Sequence, residues 1–284
     1  NILLPDVNDM QAWACIACDQ FTSEKDYWDA LEQRVKGART TLDLTLPEIY
    51  LEDNKVERIK LINATMGKYI EENLFETYEN CFVYVERTLG NGDIRKGLVG
   101  MIDLDMYDYS SNANAPIRAT EKTVIERIPP RVEIRKDALL ELPHVMLLIN
   151  DEADSVIKNA EKAKEELLYD FPLMMNGGNI KGFKVSPNEE IFNSLKKLWE
   201  GGNNAVYVVG DGNHSLATAK TCYENLKAKF GDKAKQMPQR YALCELGNLH
   251  DESLLFEAIH RVVFGASKEE FVKRLQNCGI IGMG

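Results

Sequence analysis

Residues 205–220, with the sequence AVYVVGDGNHSLATAK, combine a short apolar run, a glycine-flanked turn and an amphipathic segment. The run Ala205–Val209 predicts a buried strand, because it is apolar, continuous and bounded by turn residues. The residues after the turn place apolar side chains at helical spacing, which predicts a helix over 215–229. The stripe of this helix consists of Leu216, Ala219, Tyr223 and Leu226. A strand that passes through a tight turn into a helix is typical of folds that mix both elements.

The rest of the chain predicts two hairpins and several more helices. Residues 81–89 and 94–104 flank a turn at Gly90–Asp93, and residues 171–175 and 180–185 flank a second turn at Asn176–Asn179. Apolar spacing predicts helices over 24–36, 53–74, 155–168 and 188–199. A last helix, capped by Ser267, is predicted to run to about 277. Strands are predicted over 13–17, 144–149 and 241–246. The fold class is therefore α+β, with a mixed sheet, β-hairpins and flanking helices.

One compact unit over 1–284 accounts for this pattern, since the chain shows neither internal repeats nor a low-complexity linker. The polar stretch 108–116 (DYSSNANAP) is the one place that favours a division. Such a division would separate an N-terminal subdomain, 1–110, from a subdomain over 111–284 that contains the glycine-flanked loop.

The charge of the chain restricts its partners. Its formal net charge is -11 and its pI is about 5.0, and lysines and arginines alternate with acidic residues rather than cluster. Such a surface repels nucleic acid and anionic membranes, so neither is an expected partner. No apolar run approaches the roughly 18 residues of a membrane span. The oligomeric state stays open.

The six cysteines lie in apolar segments without the spacing of a disulfide scaffold, which predicts a reducing, cytoplasmic location. Cys15 and Cys18 form a CxxC pattern that is typical of redox and metal sites. They fall in a predicted strand, however, where positions three apart point to opposite faces. We therefore interpret both cysteines as core residues.

The loop 210–215 is the main candidate site. Gly210 and Gly212 let backbone N–H groups approach an anion, and the helix N-terminus adds a partial positive charge, so phosphate is the expected ligand. Asp211 fits beside phosphate if Mg²⁺ bridges the two, or if it acts as a general base. His214 would donate to a phosphoryl oxygen. The alternative is a plain turn in which Asp211 and Asn213 make local hydrogen bonds and Ser215 caps the helix.

Two further groups of polar residues are weaker candidates for a site. Arg118 and Glu121 fall in a predicted short helix that Pro129–Pro130 would stop. There they form either an intrahelical ion pair or a phosphate-binding arginine with a carboxylate base. The stretch Asn248–Glu252, near His260–Arg261, has residue types that bind metals but lacks their fixed spacing, and it is interpreted as a polar loop. His144 is interpreted as structural.

Three blocks of the sequence resemble a protein family. The stretches GDGNHSLATAK (210–220), PIRATEKTVIERIPPRVEIRKDA (116–138) and EAIHRVVFG (257–265) are similar to the bacterial and archaeal family called domain of unknown function 1015. The resemblance covers essentially the whole chain. Family members continue past the position of Gly284, so a further C-terminal part is expected.

Many members of that family carry a D-G-H-H-R loop, which is similar to the phosphate-binding loop of the ParB/sulfiredoxin superfamily. Asp211, Gly212 and His214 match this loop, while Asn213 replaces its first histidine and Ser215 replaces its arginine. Arg118 and Glu121 match the family's second motif, in which Thr120 stands where a histidine is common. The Ser215 departure removes a charged phosphate clamp.

The resemblance implies a function for the loop and a ParB/sulfiredoxin-like substructure around it. It implies a phosphotransferase that uses Mg²⁺ and a nucleotide to phosphorylate a small hydroxyl metabolite such as serine. Asp211, His214, Glu121 and Arg118 would be catalytic, and Asp211 would bind the metal. Gly210, Gly212, Asn213 and Ser215 would hold the cofactor. The alternatives are a non-catalytic sensor of a nucleotide or phosphorylated metabolite and a ParB-like DNA-binding module, which the net charge disfavours.

Overall fold

A computed structural model describes residues 1–15, 21, 24–51, 53–121, 123, 128–142, 145–201, 206–254 and 264–277. The chain divides into two compact units, Asn1–Leu254 and Leu255–Gly284. The strands of the first unit are β1 (Ile2–Pro5), β2 (Phe75–Tyr78), β3 (Phe82–Thr88), β4 (Ile94–Asp103), β5 (Tyr107–Asp108), β6 (Ile117–Arg118), β7 (Val145–Ile149), β8 (Leu167–Pro172), β9 (Asn179–Val185), β10 (Tyr207–Asp211) and β11 (Tyr241–Asn248). Its helices are α1 (Met10–Trp13), α2 (Lys25–Val35), α3 (Lys55–Glu71), α4 (Ile128–Arg135), α5 (Ser155–Lys162), α6 (Glu189–Gly201) and α7 (Asn213–Phe230).

The first unit is a mixed α+β fold, as the sequence predicts. Among the described residues, nine strands form one mixed sheet in the order β5-β6-β10-β7-β11-β4-β3-β9-β8, and β1 pairs with β2 in a separate antiparallel sheet. In the large sheet β5, β6 and β10 are mutually parallel, β7 is parallel to β11, and β10 is antiparallel to β7. The large sheet takes strands from both sides of residues 108–116.

The two predicted hairpins are confirmed. β3 and β4 pair antiparallel around residues 89–93, and β8 and β9 pair antiparallel around residues 173–178. The predicted strands over 205–209 and 241–246 correspond to β10 and β11, within two residues at each described end. Position 205 lies outside the described residues, as does His144 at the start of the predicted strand that corresponds to β7.

The core beneath α7 fixes that helix on the sheet. Leu216, Ala219 and Tyr223 of α7 pack with Val209 of β10 in one buried cluster, and Leu226 packs against its margin. The apolar stripe read from the sequence therefore faces the sheet. A second buried cluster joins the sheet to α5 and α6 around Tyr84, Ile149, Val156 and Ile191.

The strand predicted over 13–17 is wrong in its described part. Trp13 ends the short helix α1, whose first turn is capped by the Asp9 side chain accepting from the Ala12 N–H at 2.9 Å. Cys15 follows this helix, and its Sγ atom lies 3.0 Å from Thr40 Oγ1. Burial raises the pKa of the Cys15 thiol, which suits a packed rather than a reactive cysteine. Cys18 lies outside the described residues.

The short helix predicted around Arg118 is also wrong. Ile117 and Arg118 form β6, which pairs in parallel with β10 and with β5. Pro129 and Pro130 do not stop a helix, because they lie in the first turn of α4. Proline is tolerated there since the first-turn N–H groups have no partner within the helix.

The remaining helix predictions hold with shifted ends. The helix predicted over 155–168 ends at Lys162, because the chain turns to begin β8 at Leu167. In the second unit, the last helix is α8 (Lys268–Asn277), and Ser267 Oγ accepts from the Glu270 N–H at 3.2 Å, as its predicted cap requires. No helix within the described ranges is long and apolar enough to cross a membrane.

Candidate functional site

The loop between β10 and α7 begins with an irregularity in the strand. The pairing of β10 with β7 shifts between Val209 and Asp211, so Gly210 lies at a bulge. A Cβ atom at position 210 would stand 2.9 Å from the Leu148 side chain. Gly210 therefore allows the end of β10 to lie close against β7, and the bulge turns the chain toward α7.

Gly212 sets the start of α7. Its φ is +87°, which side chains disfavour, and a Cβ there would lie 3.1 Å from Val145 Cγ2 and 3.2 Å from Val145 Cα. The helix begins at Asn213, two residues before the predicted start at 215. Ser215 thus lies in the first turn and not at the N-cap, so its predicted capping role is wrong. Gly212 is the N-cap and, having no side chain, cannot cap the first-turn N–H groups that favour anions.

Asp211 is exposed at the end of β10. One carboxylate oxygen, Oδ1, accepts from the Gly212 N–H at 2.7 Å. Within the described ranges, no three His, Cys, Asp or Glu side chains lie together as a metal-binding group. Mg²⁺ is often held by one carboxylate together with substrate phosphates, so a single Asp211 fits that type of site but not a cage of protein ligands.

Asn213 and Thr120 connect the loop to the second sequence motif. The Thr120 N–H donates to Asn213 Oδ1 at 3.2 Å, and Asn213 Nδ2 donates to Thr120 Oγ1 at 3.2 Å. Thr120 Oγ1 in turn donates to the Val209 carbonyl at 2.6 Å. Asn213 is only 6% exposed, so its side chain is used in this internal contact. The loop and the segment that follows β6 are therefore joined by side-chain hydrogen bonds.

Glu121 and His214 lie side by side at the start of α7. The distance from Glu121 Oε1 to His214 Nδ1 is 4.0 Å, and the side chains are 60% and 17% exposed, respectively. At 4.0 Å the two atoms are too far apart for a direct hydrogen bond, so the pair is a close approach of a carboxylate and an imidazole. The structure thus brings together two predicted site residues that lie in separate sequence motifs.

Arg118 is held by the polar loop that precedes it. Its Nε atom donates to the Ala115 carbonyl at 2.8 Å, and its Nη2 atom donates to Asn114 Oδ1 at 3.4 Å. Arg118 pairs with Val208 in the sheet, and it does not share a helix face with Glu121. The predicted intrahelical ion pair is therefore wrong. Arg118 ends β6 and lies beside Asp108 at the end of β5 and beside Val208, three residues before the end of β10.

The stretch Asn248–Glu252 is held by several hydrogen bonds at the end of the large sheet that lies opposite the loop 210–215. Asn248 is 2% exposed, and its Nδ2 atom donates to the Asp151 carbonyl at 2.8 Å and to Asp154 Oδ1 at 2.9 Å. His250 Nε2 lies 2.6 Å from Asn150 Oδ1. These bonds tie the ends of β7 and β11 together and support the interpretation as a polar loop. His260 and Arg261 lie outside the described residues.

Two pockets in the described part of the chain lie away from the loop. One, of about 440 Å³, lies between α2 and α3 and includes Arg39, Asp43 and Tyr69. The other, of about 670 Å³, lies beside the turn between β8 and β9. Neither of these pockets is lined by residues 210–215.

Sequence reasoning missed Thr120 as a partner of the loop. Its bonds to Val209 and Asn213 span 89 and 93 residues of sequence. A single sequence contains no local signal for such a contact, because spacing rules apply only within one helix or one strand pair.

Comparison with known families supports the resemblance that the motifs indicated. A family model described as protein of unknown function (DUF1015) matches residues 5–281. No curated protein and no solved structure matches the chain.

Proposed function

The chain belongs to the DUF1015 family of proteins of unknown function, and we propose that it is a Mg-nucleotide-dependent phosphotransferase that acts on a small, serine-like hydroxyl metabolite. The observation that carries the proposal is the 4.0 Å approach of Glu121 to His214 at the N-terminus of α7. A helix N-terminus favours a phosphate group, and a carboxylate–imidazole pair beside it supplies proton transfer at the same place.

Each residue of the loop has a role in this proposal. The backbone N–H groups at the start of α7 hold phosphate oxygens, and Gly210 and Gly212 allow the close approach. His214 donates to a phosphoryl oxygen, and Glu121 or Asp211 takes the proton of the attacking hydroxyl. Asp211 would hold Mg²⁺ together with phosphate oxygens, and the ion would neutralise charge on the transferring group.

A non-catalytic sensor of a nucleotide or phosphorylated metabolite is the second candidate. Ser215 supplies no positive charge in the first turn of α7, and the Arg118 side chain already donates to Ala115 and Asn114. Phosphoryl transfer usually depends on a cation at the transferring group, whereas binding alone requires less. This observation favours binding without turnover.

One experiment separates the two candidates. The protein is incubated with Mg²⁺, a panel of nucleoside triphosphates and small hydroxy amino acids, and phosphorylated products are measured by mass spectrometry. The proposal expects Mg-dependent transfer that falls at least about 100-fold in Glu121→Gln. His250→Asn is the matched control, since His250 lies at the opposite end of the sheet. Nucleotide binding without transfer would support the sensor, and the absence of both would refute the site.

The role of Asp211 in binding Mg²⁺ is tested by a separate experiment. Mg-nucleotide should raise the melting temperature of the protein, and Asp211→Ala should lose the part of this shift that depends on Mg²⁺. Asp232→Ala serves as the control, because Asp232 is an exposed aspartate paired with Lys235. Equal Mg-dependent shifts in all three proteins would remove Asp211 from the proposed site.

A further inference from the structure

The contacts of Thr120 indicate how Glu121 reaches His214. The backbone pairing of β6 with β10 ends at Arg118 and Val208, so Thr120 lies beyond the ladder. Its hydroxyl and its N–H continue the connection by bonding to Val209 O and to the Asn213 side chain. Thr120 directly precedes Glu121, and Asn213 directly precedes His214. The bonds between Thr120 and Asn213 therefore set the distance between Glu121 and His214.

We propose that Thr120 is a positioning residue, whose hydroxyl holds the Glu121 carboxylate beside His214. This inference rests on the proposed phosphotransferase function and adds a residue that the sequence did not assign to the site. Asn213 provides the fixed partner, because it is buried in the first turn of α7. The Thr120 hydroxyl links β10 to α7, since it donates to the Val209 carbonyl of β10 and accepts from Asn213 Nδ2 of α7.

Thr120 can be changed without disturbing the core. The residue is exposed overall, although its hydroxyl bonds inward. Thr120→Val keeps the branched shape of the side chain but removes both hydroxyl bonds, and Thr120→Ser keeps the hydroxyl. Thr65→Val is the matched control, because the Thr65 hydroxyl donates only to the Leu61 carbonyl of its own helix, α3, at 2.9 Å.

The test measures phosphoryl transfer and amide hydrogen exchange in the same four proteins. In Thr120→Val, kcat should fall about 10- to 100-fold while KM for the nucleotide stays unchanged, because misplacing a catalytic group affects the chemical step. The peptide that contains Glu121 should also exchange faster. Thr120→Ser should restore both properties, and Thr65→Val should match the wild type.

The outcomes distinguish this inference from the proposed function. Wild-type turnover with an unaltered kcat in Thr120→Val would overturn the positioning role and leave the phosphotransferase standing. No wild-type turnover on the whole panel would refute the phosphotransferase. Hydrogen exchange would then decide the positioning role: faster exchange near Glu121 in Thr120→Val but not in Thr120→Ser supports it, and unchanged exchange overturns it.

Discussion

Gly212 lies so close to Val145 that a Cβ atom at position 212 would stand 3.1 Å from Val145 Cγ2. This contact places the first turn of α7 directly against the start of β7, and the +87° φ of Gly212 adds a second reason for a glycine. Both constraints act at the N-terminus of the helix on which the candidate site depends.

Gly212→Ala should therefore lower the free energy of unfolding by about 1–3 kcal/mol, measured by urea denaturation. Gly92→Ala is the control, because Gly92 has a similar φ of +92° but nothing within 4 Å of the added Cβ. The variant at 212 should lose more stability than the control, and the difference reports the contact with Val145. Equal losses would mean that backbone strain alone requires the glycine.

Arg118 is expected to anchor the polar loop over residues 108–116. Arg118→Ala should speed amide hydrogen exchange in the peptide that contains Asn114 and Ala115, because both acceptors lose their donor. Arg118→Lys should behave almost as badly, since a lysine cannot reproduce the Nε and Nη2 donor pair. If the lysine variant exchanged at the wild-type rate, the positive charge of residue 118, rather than the two donors of the guanidinium group, would hold the loop 108–116.

An arginine at position 215 should strengthen phosphate binding, because this position lies in the first turn of α7. Ser215→Arg should bind inorganic pyrophosphate about tenfold more tightly, measured by calorimetry, since one charge-assisted hydrogen bond is worth about 1.5 kcal/mol or more. Ala228→Arg adds the same charge near the other end of α7 and serves as the control. Equal gains in both variants would indicate a general charge effect.

Asp103 should contribute to stability in a pH-dependent way. Burial on its own raises the pKa of Asp103, but hydrogen bonds from Arg240 and from the Asp105 N–H outweigh it, so the pKa lies below the usual aspartate value. Because the pKa is lowered in the folded state, the stabilisation is complete above about pH 4 and is lost as the pH falls through the lowered pKa.

Asp103→Asn should therefore cost about 1 kcal/mol at neutral pH, since partial exposure screens the pair, and it should flatten the loss of stability in acid. The measurement is urea denaturation from pH 7 to pH 2. Asp232→Asn is the control, because the Asp232 side chain is 93% exposed and its pair with Lys235 is expected to matter little. An acid profile of Asp103→Asn parallel to that of the wild type would contradict the assignment.

The sequence predicted the parts of the fold whose signals are local. β10, the loop and α7 follow one another without interruption, so a change from continuous to helical apolar spacing was enough to find them. The strand over 13–17 is wrong in its described part, since a short apolar run does not by itself distinguish a strand from the end of a helix, and Trp13 ends α1. Pro129 and Pro130 do not distinguish the end of a helix from its start, because proline is compatible with both.

The candidate site was only half visible from the sequence. Loop residues such as Asp211 and His214 could be recognised because glycines and a helix start surround them. The position of Glu121 depends on β6, which is two residues long, and on the side-chain bonds of Thr120. A strand of two residues is too short to show a periodic pattern of apolar residues. Hydrogen bonds between residues far apart in the sequence produce no recognisable pattern in a single sequence.

The two margins of the large sheet have consequences for self-association. β5, at the margin nearest the loop, is two residues long, so it offers too few unpaired backbone groups to recruit a strand from another molecule. β8, at the other margin, ends in Pro172, which lacks an N–H, and its register shifts between Leu167 and Tyr169. Of these two margins, only the short middle of β8 offers backbone groups that could pair with a strand of another molecule, so both margins disfavour edge-to-edge association.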